Sequence, residues 1–160
     1  MDGHLLQSLR AARVVPVVRT HNARHASTVV QWLRDAGLRI FEITMTIPNA
    51  PSLIRELAAD PSLLIGAGTV PDRATAEVCL AAGARFIVAP WIDATLAAPC
   101  QAANAVLMLG ALTPTEVRAA LAAERRRGEG VPGILCRRPG AYTRAAQRIA
   151  ERCFLSHRRC

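Results

Sequence analysis

Lysine is absent from this chain of 160 residues, although the chain carries 20 basic residues, all of them arginine. Any mechanism that needs a side-chain primary amine therefore has no group to use here, and imine formation is the first casualty. Twenty arginines beside no lysine also point to a GC-rich coding sequence, because arginine codons are GC-rich and lysine codons are not. Long apolar runs are missing too: none approaches the roughly 18 residues of a membrane span. The first residues lack a basic segment followed by an apolar one, so no signal peptide is expected. The five cysteines, Cys79, Cys100, Cys136, Cys153 and Cys160, include no CxxC pair. The expectation is a cytoplasmic protein with free thiols and no metal. His21 and His25 read as surface residues rather than a metal pair. Cys79 and Cys100 read as helix-face packing rather than nucleophiles.

Charge is present but unevenly placed. Residues 1–120 hold ten Arg against nine acidic residues, while 121–160 hold ten Arg against three Glu. The formal net charge of +8 therefore sits almost wholly in the last quarter of the chain. A basic arm could meet a nucleic acid on electrostatic grounds. This one offers only Tyr142 and Phe154 as stacking surface, which weighs against that partner. Half the residues are apolar (51%), enough for a sizeable core in one domain.

From residue 14 a rhythm of short β-branched runs and amphipathic stretches begins, after a first amphipathic helix over 1–13 with Leu5, Leu6 and Leu9 at helical spacing. Strands are expected at 14–19, 40–44, 63–69, 86–90 and 105–109. Helices are expected at 25–36, 51–59, 72–82, 94–103 and from 114 onward. Asp72 suits an N-cap, and Gly37 and Gly83 sit where helices stop. Thr113-Pro114-Thr115-Glu116 is a capping box with Pro at the first helical position. Five strand–helix units of this length imply a parallel sheet, either doubly wound or part of an eightfold barrel. Gly66-Ala67-Gly68-Thr69 lacks the third glycine of a dinucleotide fingerprint, and no acidic residue ends the next strand, so no cofactor is implied.

Within this frame Glu42 is anomalous. It lies in an apolar run, Ile40 to Ile43, where a carboxylate is costly unless it faces a polar cavity. Arg19, Thr44 and Thr69 fall at the ends of successive strands, where a barrel places its chemistry. Arg19 could hold a carboxylate or phosphate as a fork of donors, and Glu42 could move a proton beside a carbonyl.

The segments VVPVVR (14–19), FEITMTIPNA (41–50), LIGAGTV (64–70), GARFIVAP (83–90) and ALTPTEV (111–117) occur in one order and spacing. In them the chain resembles the 2-keto-3-deoxy-6-phosphogluconate (KDPG) and 4-hydroxy-2-oxoglutarate aldolase family, over about residues 5–123. The resemblance implies a (β/α)8 barrel, a homotrimer in intact members, and a class I aldolase that releases pyruvate from a 2-keto acid substrate. It gives Glu42 the general acid/base role, sets Arg19 and Thr69 around the pyruvyl carboxylate and substrate hydroxyls, and has Pro90 line the pocket. Some relatives have Arg where this chain has Thr46, and Leu109-Gly110 replaces a usual Pro-Gly. The family's imine-forming lysine, in a pattern like K-x-F-P-A, has no counterpart, and neither has its P-T-G-G phosphate loop.

The expected organisation is a partial barrel of about five βα units over 1–123, followed by an irregular or helical Arg-rich tail over 124–160. Read one nucleotide downstream, the codons of 129–133 permit K-V-F-P-A, those of Arg137-Arg138 permit G-G, and those of 156–160 permit P-T-G-G-V. The two motifs then stand at the family's spacing. A single frameshift near codons 118–125 accounts for all three. The alternatives are a non-catalytic truncated fragment and a nucleic-acid binder with a basic tail. Sequencing the coding DNA across codons 115–160 from independent template is expected to show one base whose correction restores both motifs; an unchanged frame would make the tail genuine.

Overall fold

The computed structural model describes residues 3–125 and 133–136. Helix α1 (Gly3–Ala12) leads into strand β1 (Val17–Val18), then α2 (Ala23–Asp35), β2 (Ile40–Thr44), α3 (Ala50–Ala58), β3 (Leu64–Gly68), α4 (Arg73–Ala81) and β4 (Phe86–Ala89). A 3-10 turn (Ala94–Leu96) precedes α5 (Ala97–Ala102), followed by β5 (Val106–Ala111), α6 (Pro114–Arg125) and β6 (Gly133–Cys136). Every strand pairs in parallel with its neighbour in sequence, giving the order β1-β2-β3-β4-β5-β6. A doubly wound sheet reverses its order at a switch point; this one never does, which is the progression of a barrel wall.

Local chemistry sets the boundaries. Pro16 has no N–H to donate, and β1 starts only after it, shorter than the run 14–19 suggests. Helix α2 begins earlier than expected because the Asn22 side chain caps it, accepting from His25 N at 2.9 Å. Asp72 caps α4 as expected, accepting from Thr75 N at 2.8 Å. The capping box of α6 is closed: Thr113 Oγ1 accepts from Glu116 N at 3.2 Å, and the Glu116 carboxylate accepts from Leu112 N and Thr113 N at 2.8 Å each. The single helix expected over 94–103 is split. Pro99 has no N–H for the Thr95 carbonyl, so an α-helical ladder cannot run through that turn, and a 3-10 turn replaces it.

β6 corrects the expectation for the tail, where no strand was foreseen. Its Gly-Ile-Leu-Cys run pairs with β5, Met108 opposite Gly133 and Ala111 opposite Cys136. The outer edge of β5 presents a row of backbone groups that need partners, and a short apolar segment satisfies them. The helix expected around 141–152 lies outside the described residues.

The sheet has two apolar faces. Outward residues Phe41, Ile43, Ile65, Ala67, Ile87, Ala89, Leu107 and Leu109 pack under α2–α6. Inward residues Ile40, Phe86, Val88, Val106 and Met108 pack against Leu5 and Leu9, so α1 covers the N-terminal end of the inner face. Leu6, expected on that face, is only half-buried. Among the described residues no helix is long and apolar enough to cross a membrane.

On the inner face Glu42, Gly66, Phe86 and Val106 share one register row across β2 to β5. A Cβ at Gly66 would overlap the Phe86 ring, so glycine there is what lets the ring lie across β3. Phe86→Ala should cost about 3–5 kcal/mol by leaving a cavity. Gly66→Ala should cost about 1–3 kcal/mol by overpacking. Urea denaturation of both variants measures this, and a Gly66→Ala chain as stable as the parent would refute the packing role.

Candidate active site at the carboxyl ends of the strands

Because β2 alternates faces, Glu42 and Thr44 point inward while Phe41 and Ile43 serve the outer core. Glu42 is 5% exposed and Thr44 is fully buried; they are the buried polar residues of the described chain. Among the described residues no group donates a hydrogen bond to the Glu42 carboxylate. Burial pushes its pKa from an ordinary 4.5 up to about 7, and the nearby Arg19 guanidinium pulls weakly the other way. A carboxyl group poised there both takes and gives a proton at neutral pH.

Arg19 follows β1 directly and is exposed. Its Nη2 donates to Thr69 Oγ1 at 3.1 Å, linking the ends of β1 and β3. Thr69 sits at φ 58°, the left-handed region that β-branched residues avoid. Such strain persists only where surrounding structure holds it, here between Gly68, whose carbonyl accepts from Met45 N at 2.8 Å, and Val70, whose N–H donates to Val88 O at 3.1 Å. The unused donors of the Arg19 fork suit a planar anion.

Thr44 contributes a second polar link, from β2 to β1. Its hydroxyl donates to Val18 O at 3.2 Å, so its one proton is spent, and Thr46 Oγ1 is then the donor in the 2.8 Å bond between the two hydroxyls. Pro90, half-buried, ends β4 on the same rim, and its carbonyl lies over Gly110 of β5, where a Cβ would overlap it.

The structure thus brings Glu42, Arg19 and Thr69 together, with Pro90 on the neighbouring strand end. Sequence reasoning noticed Thr44 without assigning it a role, and it missed Gly68, against which the Glu42 side chain lies. No local signal marks Gly68, because its partner is set by strand register rather than by spacing.

Cys79 and Cys100 are buried thiols that form no disulfide, as expected of packing residues. The Cys79 thiol donates to the Met45 thioether at 3.3 Å, and burial raises its pKa to about 11, so it is no nucleophile at neutral pH. Among the described residues no cluster of His, Cys, Asp and Glu could hold a metal ion.

Fold and site together define a parallel barrel wall with a buried carboxyl group of raised pKa at the carboxyl ends of its strands. The profile of the KDPG and KHG aldolases matches residues 5–127. The chain belongs to that family. It is 32% identical over 120 residues to a 2-dehydro-3-deoxy-phosphogluconate aldolase of Treponema pallidum, covering 73% of this chain and 56% of that protein. A KHG/KDPG aldolase of Escherichia coli is 29% identical over 110 residues, 68% of this chain and 52% of its own length. The crystal structure of a 2-keto-3-deoxy-6-phosphogluconate aldolase from Zymomonas mobilis superimposes with a TM-score of 0.66 at 28% identity, covering 74% of this chain and 58% of that one. The chain spans just over half the length of the curated relatives it matches.

The raised pKa of Glu42 has a thermodynamic sign. Below pH 4.5 the carboxyl is protonated in folded and unfolded chains alike and costs nothing. Between 4.5 and about 7 only the unfolded chain ionises, so stability falls as pH rises, by roughly 3 kcal/mol in all. Glu42→Gln removes this term while leaving every other carboxylate in place. The stability gap between Glu42→Gln and the parent, from urea melts, should widen by that amount from pH 4 to pH 8; a constant gap would contradict the burial.

Proposed function

We propose that this chain carries the amino-terminal part of an aldolase site for 2-keto acids, of the kind found in 2-keto-3-deoxy-6-phosphogluconate or 4-hydroxy-2-oxoglutarate. The observation that carries this reading is a buried carboxyl group titrating near 7 on the same rim as a guanidinium held by a strained threonine. Arg19 receives the substrate carboxylate, with Thr69 fixing the guanidinium and contacting a substrate hydroxyl. Pro90 lines the pocket. Glu42 moves the protons.

Retro-aldol cleavage breaks the bond between the third and fourth carbons of the keto acid. The hydroxyl proton on the fourth carbon passes to a base, the aldehyde leaves, and the third carbon keeps the electron pair until it is protonated to pyruvate. Glu42 suits both transfers, because a group with pKa about 7 takes the first proton and returns one at the end. The electron pair needs a sink at the second carbon. In a class I aldolase this is an imine, and forming one through a side chain requires a lysine. A Legionella pneumophila relative, 28% identical, has been crystallised with pyruvate captured as a covalent carbinolamine. A carbinolamine is the adduct of a carbonyl and an amine, so that structure supports amine chemistry for the family's site. The present chain has no lysine. The reading is therefore a site that binds a pyruvyl group without cleaving a substrate, with the frameshift near codons 118–125 as the reason the amine is missing.

Two measurements test this. Sodium borohydride with pyruvate should leave the intact mass of the chain unchanged; a reduced pyruvyl adduct would overturn the claim of inactivity. Pyruvate should raise the melting temperature, and Arg19→Ala should weaken its binding roughly 10- to 100-fold, the loss of a charged hydrogen-bonded contact. Equal binding by the variant would remove Arg19 from the site.

A further inference from the structure

We propose that Gly68 is the positioning residue for Glu42: the side chain missing from this inward position of β3 is the seat of the carboxylate. Gly66 and Gly68 are successive inward positions of β3, opposite Glu42 and Thr44 of β2. Each space is filled from a different neighbour. The Phe86 ring of β4 lies over Gly66, and the Glu42 side chain of β2 leans along the strand to lie over Gly68. A Cβ at Gly68 would overlap the carboxylate itself and crowd its Cγ.

Gly68 is not needed for its backbone. The glycines with positive φ among the described residues are Gly37 and Gly83, so alanine at 68 meets no conformational penalty of its own. The seat is also rigid. The Gly68 carbonyl is bonded to Met45 N, and Thr69 follows at once with its hydroxyl on the Arg19 guanidinium. One dipeptide at the end of β3 thus fixes both charged groups of the rim, the carboxyl through an absent side chain and the cation through a hydroxyl. Among the described residues Arg19, from the end of β1, is the charged group that acts on Glu42; Gly66 and Gly68 of β3, Thr69 just after it, and Thr44 and Thr46 beyond Glu42 are neutral. Seating depth then controls how much water reaches the carboxylate, which is the cause of its raised pKa.

This deepens the reading of Glu42 as the proton-transfer group and rests on it for its catalytic meaning, but the test uses no activity. Carbon-detected NMR titration of the glutamate carboxyls in the full chain, assigned by Glu42→Gln, should give Glu42 a midpoint in Gly68→Ala lower than the parent's by about one pH unit or more, as the carboxylate is displaced toward solvent. An unchanged midpoint overturns the proposal. If Gly68→Ala does not fold, a stability cycle decides. Gly68→Ala made in a Glu42→Ala background should melt within about 2 °C of Glu42→Ala alone, because the clashing group is gone. A loss there as large as in the parent background would show that the glycine serves something other than the carboxylate. Failure of pyruvate to bind would count against the aldolase reading and leave the seat untouched.

Discussion

A carboxylate sits on the inner face of a parallel strand, and the neighbouring structure has to accommodate it. Removing an ionised carboxylate from water without a partner is costly enough that the group instead holds its proton to higher pH. Glu42 does this while Phe41 and Ile43, on either side of it, anchor the helix layer. The strand cannot rotate to release the carboxylate without exposing the largest apolar residues of the outer core, since a one-residue shift exchanges the two faces. The outer core therefore holds Glu42 in place.

Space for that side chain comes from β3, which presents glycine at both inward positions next to it. Phe86 takes one space and makes part of the apolar interior that α1 covers from the amino-terminal end. The carboxylate takes the other, toward the carboxyl ends of the strands. Beyond it the inner face changes from apolar to polar: Thr69 and Arg19 join the ends of β3 and β1, while Thr44 joins β2 to β1 and is itself bonded to Thr46. Two hydrogen bonds of this rim run to β1 or its end, and β1 is the shortest strand of the sheet, so they tie it to its neighbours where its own ladder is brief.

The absence of lysine bears on chemistry rather than on folding. Nothing in the sheet order, the caps or the two cores calls for an amine. Glu42, Arg19, Thr69 and Pro90 lie on or directly after β1 to β4, and none of them is an amine.

Much was legible in the chain before any coordinates. Asp72, the Thr113–Glu116 box and the two positive-φ glycines, Gly37 and Gly83, are local signals, each satisfied by atoms within a few residues, and each structural feature follows from them. Glu42 stood out because a carboxylate interrupts an apolar run. What the sequence could not reveal depends on register and on edges. β6 forms because β5 has a free edge, not because Gly133–Cys136 carries a strong pattern. The seat at Gly68 exists because β2 and β3 pair with Thr44 opposite Gly68, placing two residues far apart in the chain in steric contact. The places of β1 to β5, the Asp72 and Thr113 caps and the odd carboxylate were determined by the sequence alone, because each is marked by residue pattern between near neighbours. The pKa of that carboxylate and the partner that shapes it were decided only by the tertiary structure, because burial is a property of the whole sheet.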